Sequence, residues 1–209
     1  MNIKPILIVA GEPYSIFSEI FFKALKRKIY RRPIVLIASQ DLFVAQMKSL
    51  NFIFKINTID SGKLHIEGLK NNYINLINVN FESKISFNKI TNKSNSYIEK
   101  SFDIALKLLK TKKFAGLING PISKKNFLGE KFLGITEYLA SKTIKNDNIA
   151  MLIYHKNLSV SPLTTHLPLK DVNKKITKKK IISNVKLISD FYKKKLNISA
   201  RIAITGLNP

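Results

Sequence analysis

The chain contains no cysteine, no tryptophan and only 13 acidic residues in 209. The first absence excludes a disulfide framework and every thiolate metal site, so a bound cation would have to rest on His, Asp, Glu or water. Histidine is scarce as well: His65, His155 and His166 are all there is, and none has a second at ligand spacing. No apolar run comes near the length of a membrane span. The stretch before Gly11-Glu12-Pro13 is about six residues, short even for the hydrophobic part of a signal peptide. A cytoplasmic chain with no membrane partner is the expectation. Gly11-Glu12-Pro13 lacks the glycines of a dinucleotide fingerprint or P-loop, so neither can be claimed from it. No internal repeat or flexible linker interrupts the chain, and we expect one body over residues 1–209 with no internal boundary.

What the chain has in excess is positive charge, a formal +23 from 36 basic residues. Such a balance points first to nucleic acid, because clustered cations gain affinity by releasing counterions from phosphates. The distribution argues otherwise. Only Arg27, Arg31, Arg32 and Arg201 are arginine, and the remaining lysines are spread among many Asn and Ile. The densest runs, around Lys26, Lys178 and Lys193, fall at or near ends of helical patterns and lack interleaved aromatics for base stacking. They read as solvated helix faces; no specific nucleic-acid partner is expected, although weak, salt-sensitive binding is compatible with this charge.

The chain is 45% hydrophobic, enough for a generous core. Pro5 to Ala10 is a continuous apolar run of the kind a strand buried on both faces shows, followed by a helical pattern through Ile16, Ile20, Phe21, Ala24 and Leu25. Pro33 to Ala38 repeats the signal, with Ser39 or Asp41 placed to cap a helix reaching about Leu50. Shorter strands are predicted at 52–56 and 74–79, a helix at 94–110, and a strand from Phe114 to Ile118 ending at Asn119-Gly120-Pro121. Further on, the pattern predicts a helix from Thr136 to Ile144, strands at 149–154 and 158–161, a long helix over 176–195 and a strand at 201–205. Alternating buried strands and helices imply an α/β fold with a mostly parallel sheet, whose ligands bind beyond the carboxyl ends of the strands. That singles out the loops Gly11 to Ser18, Asn119 to Asn126 and Gly206-Leu207-Asn208-Pro209. The last would leave its strand without a covering helix, so the fold is read as truncated.

Three groups of residues could carry chemistry. His166, between two threonines and Leu167-Pro168, could bind a metal or could be a structural or solvent-facing imidazole. Gly120-Pro121-Ile122-Ser123-Lys124 offers amides, a hydroxyl and an ammonium to a phosphate or carboxylate, or is a plain strand-to-helix turn. Thr136, after Gly134-Ile135, could touch a ligand or cap the helix that Glu137 opens.

Taken in order, Gly11-Glu12-Pro13, Asn119-Gly120-Pro121-Ile122 with Lys124, Gly134 with Thr136-Glu137, Thr164-Thr165-His166-Leu167-Pro168-Leu169 and Gly206-Leu207-Asn208-Pro209 resemble the signature blocks of the 4-hydroxythreonine-4-phosphate dehydrogenase family. The resemblance covers essentially the whole chain, matching the amino-terminal two-thirds of that family. It implies an isocitrate and isopropylmalate dehydrogenase-like fold and a homodimer with interfacial active sites. It also implies NAD- or NADP-dependent oxidation of a small phosphorylated amino acid, 4-phosphohydroxy-L-threonine, in vitamin B6 biosynthesis. A divalent metal (Zn, Mg or Co) would be held by three histidines, of which the first matches His166. Thr136 matches a substrate contact, and Lys124 is carried over as an anion contact. The other two metal histidines would follow Pro209, so the 209-residue chain is expected to bind zinc weakly and to turn over no substrate alone. Two departures stand out. Ile135 replaces the histidine of the family's Gly-His-Thr-Glu block, and Tyr14-Ser15-Ile16-Phe17-Ser18 replaces a glycine-rich continuation of the first block. They leave two other readings open, a catalytically dead relative kept for partner interactions and a basic nucleic-acid-binding protein.

Overall fold

A computed structural model describes residues 3–27, 30–83, 85–129, 131–143 and 149–206. The chain falls into two compact units, Met1–Lys131 and Phe132–Pro209. The first holds β1 (Ile6–Val9), α1 (Phe17–Arg27), β2 (Ile34–Ala38), α2 (Gln40–Ser49), β3 (Lys55–Ile59), β4 (Tyr73–Asn78), α3 (Asn95–Lys110) and β5 (Gly116–Asn119); the second holds α4 (Ile135–Thr143), α5 (Leu169–Lys175) and α6 (Lys178–Phe191). Among the described residues no helix is long and apolar enough to cross a membrane.

The five strands form one wholly parallel sheet in the order β3-β4-β2-β1-β5. The two strands that read as continuous apolar runs lie inside it: Leu7, Val9, Val35, Leu36 and Ile37 are fully buried. Because side chains alternate along a strand, Ile8, Leu36, Ala38, Ile74 and Leu76 share one face. There they pack with Phe21 and Phe22 of α1 and with Phe43 and Met47 of α2. Helix α3 packs against β1, β2 and β5, and its Ile98, Phe102 and Ala105 are fully buried. Parallel strands need such crossovers, and the α/β fold and parallel sheet expected from the alternation are what the molecule has.

Several local expectations are corrected. Strand β3 starts at Lys55 rather than Phe52, because Phe52 and Phe54 turn into an aromatic cluster around Phe22, with ring centroids 5.4 and 5.8 Å from it. Ser39 stands at the N-cap of α2 but makes no cap bond; its hydroxyl donates to the Phe81 carbonyl instead, at 3.4 Å. In the second unit the strands expected at 149–154 and 158–161 reduce to a single antiparallel bridge between Ile153 and Val160. Residues 201–205 form no strand: an apolar run becomes a strand only where a neighbour completes its ladder, and none does among the described residues. The long helix expected over 176–195 is present as α6, which continues into a wider helical turn at Tyr192–Leu196. Ile176 and Thr177 are extended, the Thr177 hydroxyl accepts from the Lys180 amide at 3.2 Å to start α6, and the short helix α5 precedes it. Ile144, Leu207, Asn208 and Pro209 lie outside the described residues.

Candidate functional site

In the first unit the loops that leave β1 and β5 are fastened to one another at the carboxyl edge of the sheet. The Glu12 amide donates to the Pro121 carbonyl at 2.9 Å, and the Gly120 amide to the Val9 carbonyl at 2.7 Å. Glycine is required at both contacts. A β-carbon on Gly120 would lie 2.1 Å from the Ala10 carbonyl oxygen, and one on Gly11, whose φ is +78°, would lie 2.5 Å from that of Pro121. Lys124 follows as an exposed residue, but no regular helix begins there. Residues Lys124–Leu128 make one wide turn, and the Ser123 hydroxyl already accepts from the Asn126 amide at 3.2 Å. The amides expected to cradle an anion are thus partly spent, leaving the ammonium of Lys124 as the group that faces solvent.

Behind the first loop lies a carboxylate that sequence reasoning missed. Glu12 is 2% exposed and neither of its oxygens has a hydrogen-bond partner; the Ser18 hydroxyl is likewise buried and unpartnered. Both border a cavity of about 10 Å³, together with Ser39, Gln46 and Tyr97. Burial raises the Glu12 carboxyl above its ordinary range, and the Ser94 hydroxyl offsets this only in part. The reason is geometric, since the Ser94 hydroxyl donates to the Thr91 carbonyl at 2.9 Å. Tyr97 is pushed up to about 12, chiefly by burial and further by the charge of Glu12, while the Ser39 amide and the Ser101 hydroxyl pull the other way. A wider cleft of about 550 Å³ opens nearby, with Tyr14, Lys89, Lys93 and Lys100 on its walls.

In the second unit the structure brings together two of the blocks singled out in the sequence. The Thr165 hydroxyl donates to Oε1 of Glu137 at 3.2 Å, joining positions 28 residues apart. Oε2 of Glu137 is buried without a partner. A β-carbon on Gly134 would lie 3.0 Å from that oxygen and 3.4 Å from Nε2 of His166, so the two atoms converge over a residue with no side chain. His166 itself is exposed and holds φ at +55°, a left-handed conformation that a histidine adopts at some cost. Thr136 sits in the first turn of α4, half-buried beside Glu137, and Ile135 precedes it, also half-buried. His65 and His155 stand apart from this cluster in the chain, and His155 accepts through Nδ1 from the Asn157 amide at 3.3 Å.

A divalent cation fits the chemistry of this cradle. It offers an imidazole nitrogen, an orphaned carboxylate oxygen and open space over Gly134, and nitrogen with oxygen is a donor set that zinc and its neighbours accept. Among the described residues the set stops there: no group of three or more His, Asp or Glu gathers in one place.

Residues 30–209 match the family model described as pyridoxal phosphate biosynthetic protein PdxA. The chain is 36% identical over 219 residues to the 4-hydroxythreonine-4-phosphate dehydrogenase of Sulfurihydrogenibium sp. (strain YO3AOP1), covering 97% of this chain and 62% of that protein. With the enzyme of the same name from Stutzerimonas stutzeri (strain A1501) it shares 26% identity, covering 99% and 63%. The chain therefore spans somewhat under two-thirds of the length of these relatives. Among solved structures, 4-hydroxythreonine-4-phosphate dehydrogenase from Klebsiella pneumoniae superposes with a TM-score of 0.77 at 21% identity, over 91% of this chain and 60% of that one. The Burkholderia phymatum enzyme gives 0.71 at 18%, over 89% and 57%. At these identities the structural likeness speaks for the fold.

Proposed function

Since the chain belongs to the PdxA family of pyridoxal phosphate biosynthetic proteins, we propose that it carries part of the active site of a 4-hydroxythreonine-4-phosphate dehydrogenase. The reaction is NAD- or NADP-dependent oxidation of 4-phosphohydroxy-L-threonine to 2-amino-3-oxo-4-phosphooxybutanoate. That product loses carbon dioxide to give 3-amino-2-oxopropyl phosphate, on the way to pyridoxal 5'-phosphate. The protein acts in the cytoplasm as a homodimer whose active site lies between subunits.

The observation that carries this reading is the convergence over Gly134, where the block around Thr136 meets the block around His166. His166 holds the divalent cation through its imidazole. A divalent cation held there would supply Lewis acidity, lowering the pKa of a substrate alcohol so that a base could take its proton in a hydride transfer to a nicotinamide. Thr136, at the opening of α4, orients the substrate through its hydroxyl. Lys124 attracts the anionic end of the substrate by charge, as a point contact without the help of a helix terminus. Ile135 weakens the site relative to the family pattern, because a hydrocarbon side chain cannot donate the hydrogen bond that a histidine gives there.

Titration of the purified chain with Zn²⁺ and with 4-phosphohydroxythreonine tests this. Binding of the metal that His166→Ala abolishes, and binding of the substrate that Thr136→Ala weakens, are the expected results. Metal binding that is indifferent to His166 would remove the basis for the reading.

A further inference from the structure

Glu137 is placed where a helix-opening glutamate ordinarily serves its own helix. In a capping box the third residue of the helix reaches back and accepts from the amide of the cap residue, which here would be Gly134. Glu137 does not do this. One of its oxygens accepts from the Thr165 hydroxyl and the other has no partner, although it is buried. An unpartnered carboxylate oxygen out of water is costly, more so than a neutral acceptor would be, because the desolvation of a charge is not offset. A helix cap therefore does not account for the arrangement.

The surroundings show what does. Oε2 of Glu137 and Nε2 of His166 both lie within 3.4 Å of the point where a side chain would start on Gly134. No described hydrogen bond joins the two, so the carboxylate is not a mere acceptor for the ring N–H. Both atoms can offer lone pairs, one from a carboxylate and one from the neutral imidazole, and what satisfies two converging lone pairs is a cation. The Thr165 hydroxyl fixes the other carboxylate oxygen, as hydrogen bonds commonly do for ligating carboxylates.

We propose that Glu137 is a second protein ligand, through Oε2, to the divalent cation held by His166. The proposal rests on the reading of His166 given above. It gives this chain a mixed carboxylate and imidazole pair on one subunit, with Gly134 kept bare to make room for the ion.

The test uses the whole 209-residue chain and two probe metals. Zn²⁺ affinity is measured by competition with a chromophoric chelator, and the visible spectrum of bound Co²⁺ reports the donor set without reference to catalysis. Glu137→Gln keeps the shape and removes the charge; it is expected to weaken Zn²⁺ by at least about tenfold to a hundredfold and to shift the Co²⁺ bands. Glu137→Asp, which shortens the carboxylate, is expected to show a smaller loss and a shifted spectrum, and it decides the matter should Glu137→Gln fail to fold. Should Zn²⁺ affinity and the Co²⁺ spectrum be unchanged in the glutamate variants while His166→Ala abolishes binding, Glu137 is not a ligand and the reading of His166 survives. Should His166→Ala also bind normally, both fall together.

Discussion

The Glu12 amide donates to the Pro121 carbonyl at 2.9 Å, tying the loop after β1 to the loop after its sheet neighbour β5. The contact depends on two glycines that admit no side chain. Gly120→Ala would drive a methyl group to within 2.1 Å of the Ala10 carbonyl oxygen and 2.8 Å of the Phe17 ring. Backbone must move to relieve that, and a loss of about 3 kcal/mol or more is expected in urea unfolding of the variant. Gly11→Ala adds a methyl at positive φ against the Pro121 carbonyl and is expected to destabilise to a similar degree. Wild-type midpoints for both would contradict the packing described.

Glu12 links stability to pH. Its folded-state carboxyl is raised above the ordinary value by burial, so the folded chain prefers the protonated form. The stability that this form contributes is complete below the unfolded-state range. It is lost as pH rises through the raised folded value. Glu12→Gln has nothing to deprotonate, so its stability relative to wild type is expected to grow as pH rises from about 4 to 8, reaching about 1–3 kcal/mol. Urea midpoints of the two proteins at several pH values measure this directly. A difference that stays constant with pH would mean the carboxylate is stabilised by a partner.

Phe22 is fully buried and touches four other phenylalanine rings, Phe21, Phe43, Phe52 and Phe54. Phe22→Ala removes the ring on which α1, α2 and the approach to β3 converge. A loss of about 3–5 kcal/mol is expected in the unfolding of the first unit, read by far-ultraviolet circular dichroism.

Ile135 offers a gain of function. Restoring the hydrogen-bonding side chain with Ile135→His is expected to tighten 4-phosphohydroxythreonine by roughly tenfold, the worth of one net hydrogen bond. Titration calorimetry beside Thr136→Ala, which should weaken binding, separates a repaired site from an unrelated effect. If Ile135→His leaves affinity unchanged, position 135 does not face the substrate.

The sheet was legible in the sequence because strands buried on both faces need no particular partner to be recognised: Pro5 to Ala10 and Pro33 to Ala38 are apolar throughout. The signature blocks were legible too, since Thr164 to Leu169 and Gly134 to Glu137 are short and local. The second unit was less so. Its runs at 149–154 and 201–205 have strand-like composition, but a ladder is a property of two segments, and among the described residues this unit supplies the Ile153 to Val160 bridge and no more. The helix expected over 176–195 was legible because its signals are local: the Thr177 hydroxyl starts α6, which runs from Lys178 to Phe191.

The sequence by itself determined the two inner strands of the parallel sheet and which blocks carry the family resemblance, because both are written in continuous apolar runs and in neighbouring letters. Only the tertiary structure decided what Glu137 and Glu12 are. Glu137 read as a helix opener and Glu12 as part of a turn, yet one is an orphaned oxygen beside His166 and the other a buried acid beside Tyr97. Whether a carboxylate is solvated, paired or stranded depends on atoms that reach it from distant parts of the chain, and burial of that kind leaves no mark on sequence spacing.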